Sequence, residues 1–442
     1  MKYISLLFLV VVQLVSAQNT VTGTFIDSLP QIKNVALYQF KNGTPEYVNF
    51  TDVEKNSFTF SMDSLPSGYY RALYKNVASG YVDFIYNKEN IKFEVNSKVG
   101  QVSVGYAASR ENQLLQAYNY NMLQLQTELD SLQMVFFRKP SADVALYKDI
   151  KSKIDGAQNY YENLAKNDYC LSIIKASKRY NAPIPFTLPG NYISSIQKHY
   201  FDPIDFKDQG LKNSLFLKNR VTDYVFYLHQ SESKETENRL FIGAIKKVTA
   251  LVDDSELKEA LLADLIQKLI AKENSVVLAE TVAIYKELPV AVQKYALLKE
   301  TQQLSKTLLG VVAPNIKISE TETLHSLSGS KAYLVVFWSS TCSHCSLELP
   351  KVATLLKDKQ EVTVVSVGLE KKTDAVNWTT KVKDFPTWKN VISIGKWNSV
   401  ESVSYSVNTT PSYFLLNKNK QIIAKPKDLE TLIKVVDELL IQ

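Results

Sequence analysis

Two cysteines held three positions apart, with a histidine between them, carry the plainest chemistry in this chain: Cys342-Ser343-His344-Cys345. A CxxC spacing lets two sulfurs meet across one helical turn, and such a pair can pass between dithiol and disulfide. The run Ala332 to Trp338 just before it is apolar without alternation, as expected of a strand buried on both faces. A helix is expected to start at or near Cys342. Unpaired N–H groups and the helix dipole favour an anion at that end. Cys342 therefore reads as the attacking thiolate. Cys345, one turn further in and less exposed, reads as the thiol that resolves a mixed disulfide. His344 is placed to stabilise the Cys342 thiolate by charge or by a hydrogen bond, which makes the disulfide more oxidising. Glu348 follows Cys345 by three residues on the same helix face, where it could take the Cys345 proton as a general base. The plainer reading of Glu348 is an exposed helix glutamate. Pro350 is expected to kink this helix.

Other uses of the pair are weaker. A closed structural zinc site needs four N or S ligands, and a second CxxC is absent. Copper-binding domains of related fold use wider cysteine spacing, and the only nearby third ligand is His344. No metal and no cofactor is expected. His199 and His229 are isolated and read as structural. Cys170, flanked by Tyr169 and Leu171, reads as a buried apolar position.

The elements that must position this chemistry come last in a chain of 442 residues, long enough for two or three domains. Lys2, an apolar run from Ile4 to Val15 and the small residues Ser16 and Ala17 form a secretory signal over residues 1–17. The run is short for a transmembrane anchor. Export implies an oxidising compartment, yet only three cysteines are present, so the pair is not one staple among many. The formal charge of +6 is spread along the chain without a dense basic block, which argues against nucleic-acid binding.

Residues 18–105 show short runs rich in β-branched and aromatic residues, such as Val21 to Phe25, Tyr70 to Tyr74 and Ile91 to Val95. Turn signals separate them, which predicts an all-β sandwich. At Ser109 the period becomes helical, and residues 106–309 read as an all-α region broken at Pro183, Pro185 and Pro189-Gly190. After Gly310 and Pro314 the pattern is strand–helix–strand. A hairpin from Ser412 to Ala424 and a last amphipathic helix from Leu429 to Leu440 complete residues 310–442. A βαβ unit followed by ββα is the order of an α/β thioredoxin-like domain.

Phe337-Trp338-Ser339-Ser340-Thr341-Cys342-Ser343-His344-Cys345-Ser346-Leu347-Glu348-Leu349-Pro350 resembles the active-site segment of the TlpA/ResA-like branch of exported thioredoxins, F-W-x-x-W-C-x-x-C-x-x-E-x-P. The resemblance implies a periplasmic thiol–disulfide oxidoreductase with catalytic Cys342, Cys345, Glu348 and His344. Asn408 to Phe414 is similar to the family's cis-proline loop, which implies that Thr410, Pro411 and Trp338 meet substrate and that the Thr410 backbone pairs with an extended chain. Protein thiols and disulfides are the implied substrates, with a membrane-bound redox partner. Three positions depart from the pattern. Thr341 replaces Trp, His344 replaces the common Pro, and Val336 stands where cytoplasmic thioredoxins bury an Asp. His344 leans towards an oxidising poise and the likeness towards a reducing one, so the direction of electron flow stays open. The segments Ser109 to Asn112 and His199 to Asp202 resemble the β-domain and helical middle found before thioredoxin domains in Bacteroidetes envelope proteins. A non-catalytic interaction protein on a thioredoxin scaffold, or a copper chaperone, are the alternatives.

Overall fold

A computed structural model describes residues 19–27, 32–75, 80–96, 102–141 and 143–441. The expected signal segment, residues 1–17, lies outside the described residues. The chain divides into two compact units, 1–230 with 247–260, and 231–246 with 261–442. The expected boundary at 105/106 falls inside the first unit, and that at 309/310 inside the second.

The first unit opens with β1 (Thr20–Phe25), β2 (Asn34–Lys41), β3 (Thr44–Asp52), β4 (Ser57–Ser61), β5 (Gly68–Leu73), β6 (Tyr81–Tyr86), β7 (Ile91–Asn96) and β8 (Ser103–Ala108). They form two four-stranded sheets, ordered β4-β1-β7-β8 and β3-β2-β5-β6. One core cluster joins both, with Val21, Phe58, Phe60, Ile91 and Phe93 from one sheet and Val35, Leu37, Tyr70, Phe84 and Tyr86 from the other. The expected all-β sandwich is therefore present, and its last strand runs on to Ala108. Strand β3 carries no alternating apolar face because it is a largely exposed edge, held by backbone pairing to β2.

Helices follow: α1 (Arg110–Arg138), α2 (Val144–Leu164), α3 (Leu171–Ala176), α4 (Pro189–His199), α5 (Gln209–Lys212) and α6 (Phe216–Phe226). The side chain of Ser109 caps α1 by accepting from the Asn112 N–H. Phe40, Tyr69 and Ile85 pack with Tyr118, Tyr161, Cys170 and Ile174, so helices cover the sheet that holds β2, β5 and β6. Cys170 is fully buried, and burial, followed by the charges of Glu111 and Asp168, pushes its thiol up to about 12. His229 bonds through Nδ1 to the Tyr224 carbonyl at 2.6 Å, and His199 to Asp202 at 2.6 Å.

Helices α7 (Lys234–Leu251) and α8 (Ser255–Ala271) span the divisions between units, and α9 (Ser275–Lys286) and α10 (Tyr295–Leu304) belong to the second. Helix α10 starts only at Tyr295, because turns follow Pro289. The rest of the second unit is β9 (Ala332–Trp338), α11 (Ser343–Leu356), β10 (Val362–Glu370), α12 (Ala375–Lys381), β11 (Lys389–Ile394), α13 (Val400–Ser404), β12 (Ser412–Asn417), β13 (Ile422–Ala424) and α14 (Leu429–Ile441). Its sheet runs β11-β10-β9-β12-β13. Strands β9, β10 and β11 are parallel, while β12 is antiparallel to both β9 and β13. This is the thioredoxin-like fold.

The unbroken apolar run of β9 has a direct cause. Ala332, Leu334, Val336 and Trp338 point into a core shared with Leu349, Val352 and Leu432. Tyr333, Val335 and Phe337 point into a second core with Leu324, Tyr405 and Phe414. Both faces are buried, so no polar alternation is possible.

Candidate functional site

Strand β9 ends at Trp338, and after three intervening residues Cys342 is the N-cap of α11. Its Sγ accepts from the Cys345 N–H at 3.1 Å, which takes up one of the free donors at this helix end. Cys342 and Cys345 are joined as a disulfide with Cα atoms 5.3 Å apart. The two sulfurs differ in access: Cys342 is half-buried, whereas Cys345 is 0 % exposed.

The loop before β12 closes over this pair. The Thr410–Pro411 peptide is cis, and the Thr410 carbonyl oxygen lies 3.6 Å from Cys342 Sγ. Thr410 and Pro411 are both partly exposed beside the sulfur.

Glu348 sits on the buried side of α11, not on its exposed face. Its Oε1 accepts from the Tyr413 hydroxyl at 2.7 Å, and its Oε2 lies 2.8 Å from Nε2 of His344. Tyr413 is buried, and burial followed by the Glu348 carboxylate pushes its phenol well above the ordinary range, which keeps it a donor. The His344 side chain is 69 % exposed and Glu348 only 10 %. His344 is thus turned to Glu348, four residues on; its expected action on Cys342 was by charge or by a hydrogen bond. The i, i+4 geometry of a helix makes that pairing the near one.

Trp338 departs from its expected place at the substrate surface. It is 1 % exposed, and its Nε1–H donates to Ser366 Oγ at 2.7 Å inside the sheet. As the last residue of a strand buried on both faces, it has a core neighbour on either side. Thr341, where the resembling family carries Trp, is exposed, and Lys396 Nζ donates to its Oγ1 at 3.4 Å.

One residue at the site went unread in the sequence. Glu370, the last residue of β10, is 0 % exposed. Its carboxylate accepts from the Ser340 N–H and, at 3.3 Å, from the Ser339 hydroxyl, so it holds the turn that leads into Cys342. Asn377 adds a side-chain hydrogen bond to Ser340 Oγ at 3.1 Å. The available signal was position: a carboxylate at the carboxyl end of a buried parallel strand, where α/β sheets place their sites. Among the described residues, no group of three or more His, Cys, Asp or Glu side chains is arranged to hold a metal ion. No helix among them is long and apolar enough to cross a membrane.

No family model and no curated protein matches the chain. Solved structures do. A thioredoxin-like protein from Bacteroides caccae is 19% identical, with a TM-score of 0.42, and the match covers 60% of this chain and 98% of that one. A thiol:disulfide interchange protein from Bacteroides sp. is 26% identical with a TM-score of 0.26, covering 31% of this chain and 93% of that one. A thiol-disulfide oxidoreductase from Bacteroides fragilis is 25% identical with a TM-score of 0.22, covering 25% and 81%. The thioredoxin domains among these neighbours fall on the C-terminal part of this chain.

Proposed function

We propose that this chain is a periplasmic thiol–disulfide oxidoreductase that exchanges disulfides with protein substrates through Cys342 and Cys345. The observation that carries the reading is the unequal access of the two sulfurs: one at a helix N-terminus beside Thr410 and Pro411, the other sealed beneath it.

In the reduced protein the helix end favours the Cys342 thiolate. That thiolate attacks a substrate disulfide. A mixed disulfide forms and one substrate thiolate leaves. Cys345 then loses its proton to Glu348 and attacks Cys342 Sγ, which releases the second substrate thiolate and closes the internal disulfide. The same path run backwards oxidises a substrate dithiol. An extended substrate segment pairs with the backbone at Thr410. A membrane-bound redox partner restores the starting state, and neither cofactor nor metal takes part.

Substitution at each sulfur tests this. Reduced Cys345→Ser protein, mixed with a disulfide-bonded peptide, accumulates a covalent adduct at Cys342, because nothing resolves it. Cys342→Ser protein forms no adduct on the same timescale. Non-reducing electrophoresis with peptide mapping reads both. Equal adduct yields from the two variants would sink the assignment of roles, and no adduct from either would favour a non-catalytic scaffold.

A further inference from the structure

Resting on the exchange reading above, we infer that His344 is the proton outlet of Glu348, and that Tyr413 is the positioning residue that aims Glu348 at its task.

A buried base has a problem that an exposed one lacks. Once Glu348 has taken the Cys345 proton, the more basic thiolate takes it back unless the carboxyl passes it on. Its carboxylate is nearly closed off from solvent, and two side chains hold its two oxygens. On Oε1 is Tyr413, buried in the strand that follows Pro411. On Oε2 is His344, whose ring stands mostly in solvent. Tyr413 is a fixed donor with no way out to water. An imidazole has two ring nitrogens and can take a proton at one and release a proton from the other. Nε2 faces the carboxylate, which leaves Nδ1 for the solvent side.

The protons balance as follows. Cys345 S–H loses its proton to the Glu348 carboxylate, and the Cys345 thiolate forms its bond to Cys342 Sγ as the substrate thiolate leaves. The exposed His344 ring, exchanging its hydrogen through water, presents unprotonated Nε2 to the Glu348 carboxyl. The carboxyl proton passes to Nε2, and the Nδ1 proton passes to water. The result is a carboxylate facing a neutral ring that again donates from Nε2. When the disulfide is reduced, the same route delivers a proton to the departing Cys345 thiolate. No oxidant or reductant beyond the substrate disulfide is needed.

This differs from a His344 that acts on Cys342. Such a residue would change the first step of exchange. A proton outlet for Glu348 changes only the second, because a proton carried on to water while Cys345 is a thiolate cannot return to it before it attacks Cys342 Sγ. Rapid acid quenching with mass spectrometry separates the two steps when the reduced full-length protein meets glutathione disulfide. Decay of the reduced form gives the first rate, and decay of the Cys342–glutathione adduct gives the second. His344→Ala should slow the second step about a hundredfold, at the modest end of general acid–base effects, and leave the first within about twofold. Added imidazole should restore the second rate. Glu348→Gln should slow the second step without any response to imidazole. Tyr413→Phe should slow it without changing the first. Equal slowing of both steps by His344→Ala, an unchanged second step, or no rescue by imidazole would each overturn the relay. A reduced wild-type protein that glutathione disulfide leaves unoxidised would instead overturn the exchange reading itself.

Discussion

Glu370 shows how much a single buried carboxylate can fix at this site. It accepts from Ser339 and from the Ser340 backbone, and so shapes the three-residue turn between β9 and Cys342. Removing it strands a buried N–H, whose desolvation costs about 1–3 kcal/mol. Glu370→Ala should therefore lower the unfolding free energy by roughly that amount, read from urea denaturation. An unchanged midpoint would mean that water replaces the carboxylate at Ser340. Cys342 and Cys345 make a related point about access. Identical side chains three residues apart differ in access because one caps the helix and the other faces the core.

Elements in this protein are completed by side chains as well as by strands. Strand β6 is an edge of its sheet. At Ile85 its outward backbone groups meet Asn112, from the first turn of α1. The Asn112 side chain accepts from the Ile85 N–H at 2.8 Å and donates to the Ile85 carbonyl at 2.7 Å. One amide thus does the work of a neighbouring strand and ties the helix to the sheet. Asn112→Leu leaves both backbone groups buried without partners, at about 1–3 kcal/mol each. The expected result is a loss of stability well beyond that of a surface change in α1, measured by chemical denaturation. A loss below about 1 kcal/mol would show that the sandwich edge does not depend on the helix. The close fit of β10 to α12 is of the same kind. A Cβ on Gly368 would lie 2.0 Å from Trp378 Nε1, so only glycine leaves room for that indole.

At the scale of the whole molecule, the Cys342–Cys345 pair belongs to the second unit. Both cores that flank its sheet are built from residues after 308. The backbone of 310–313 is already paired with the β13 strand and its approach, through Gly310 to Ile422 and Ala313 to Lys420. A fragment of residues 308–442 should therefore fold and resolve a glutathione adduct within about twofold of the rate of the full chain, as expected where no contact shared with the chemistry is lost. An unfolded fragment, by circular dichroism, would show that the ion pair of Lys425 with Glu273 and the other contacts to 261–307 are needed for stability.

The linear order of residues determined the local chemistry. The CxxC pair lies between an unalternating apolar run and a helical period, and that pattern alone specifies a strand, a turn and a helix N-terminus with a sulfur at it. The sandwich strands and the long helices were legible for the same reason: each buries a face with its own period. What the order of residues did not determine is which side chains from distant elements converge. Glu370 joins the site from the far end of β10, Tyr413 from β12, and Trp338 withdraws into the core. The edge strands β3 and β11 were equally hidden, since backbone pairing to a neighbour defines them and no apolar alternation marks them. Periodicity is a local property written into every segment, whereas a hydrogen bond across more than 60 residues, such as Tyr413 to Glu348, exists only once the sheet has brought its ends together.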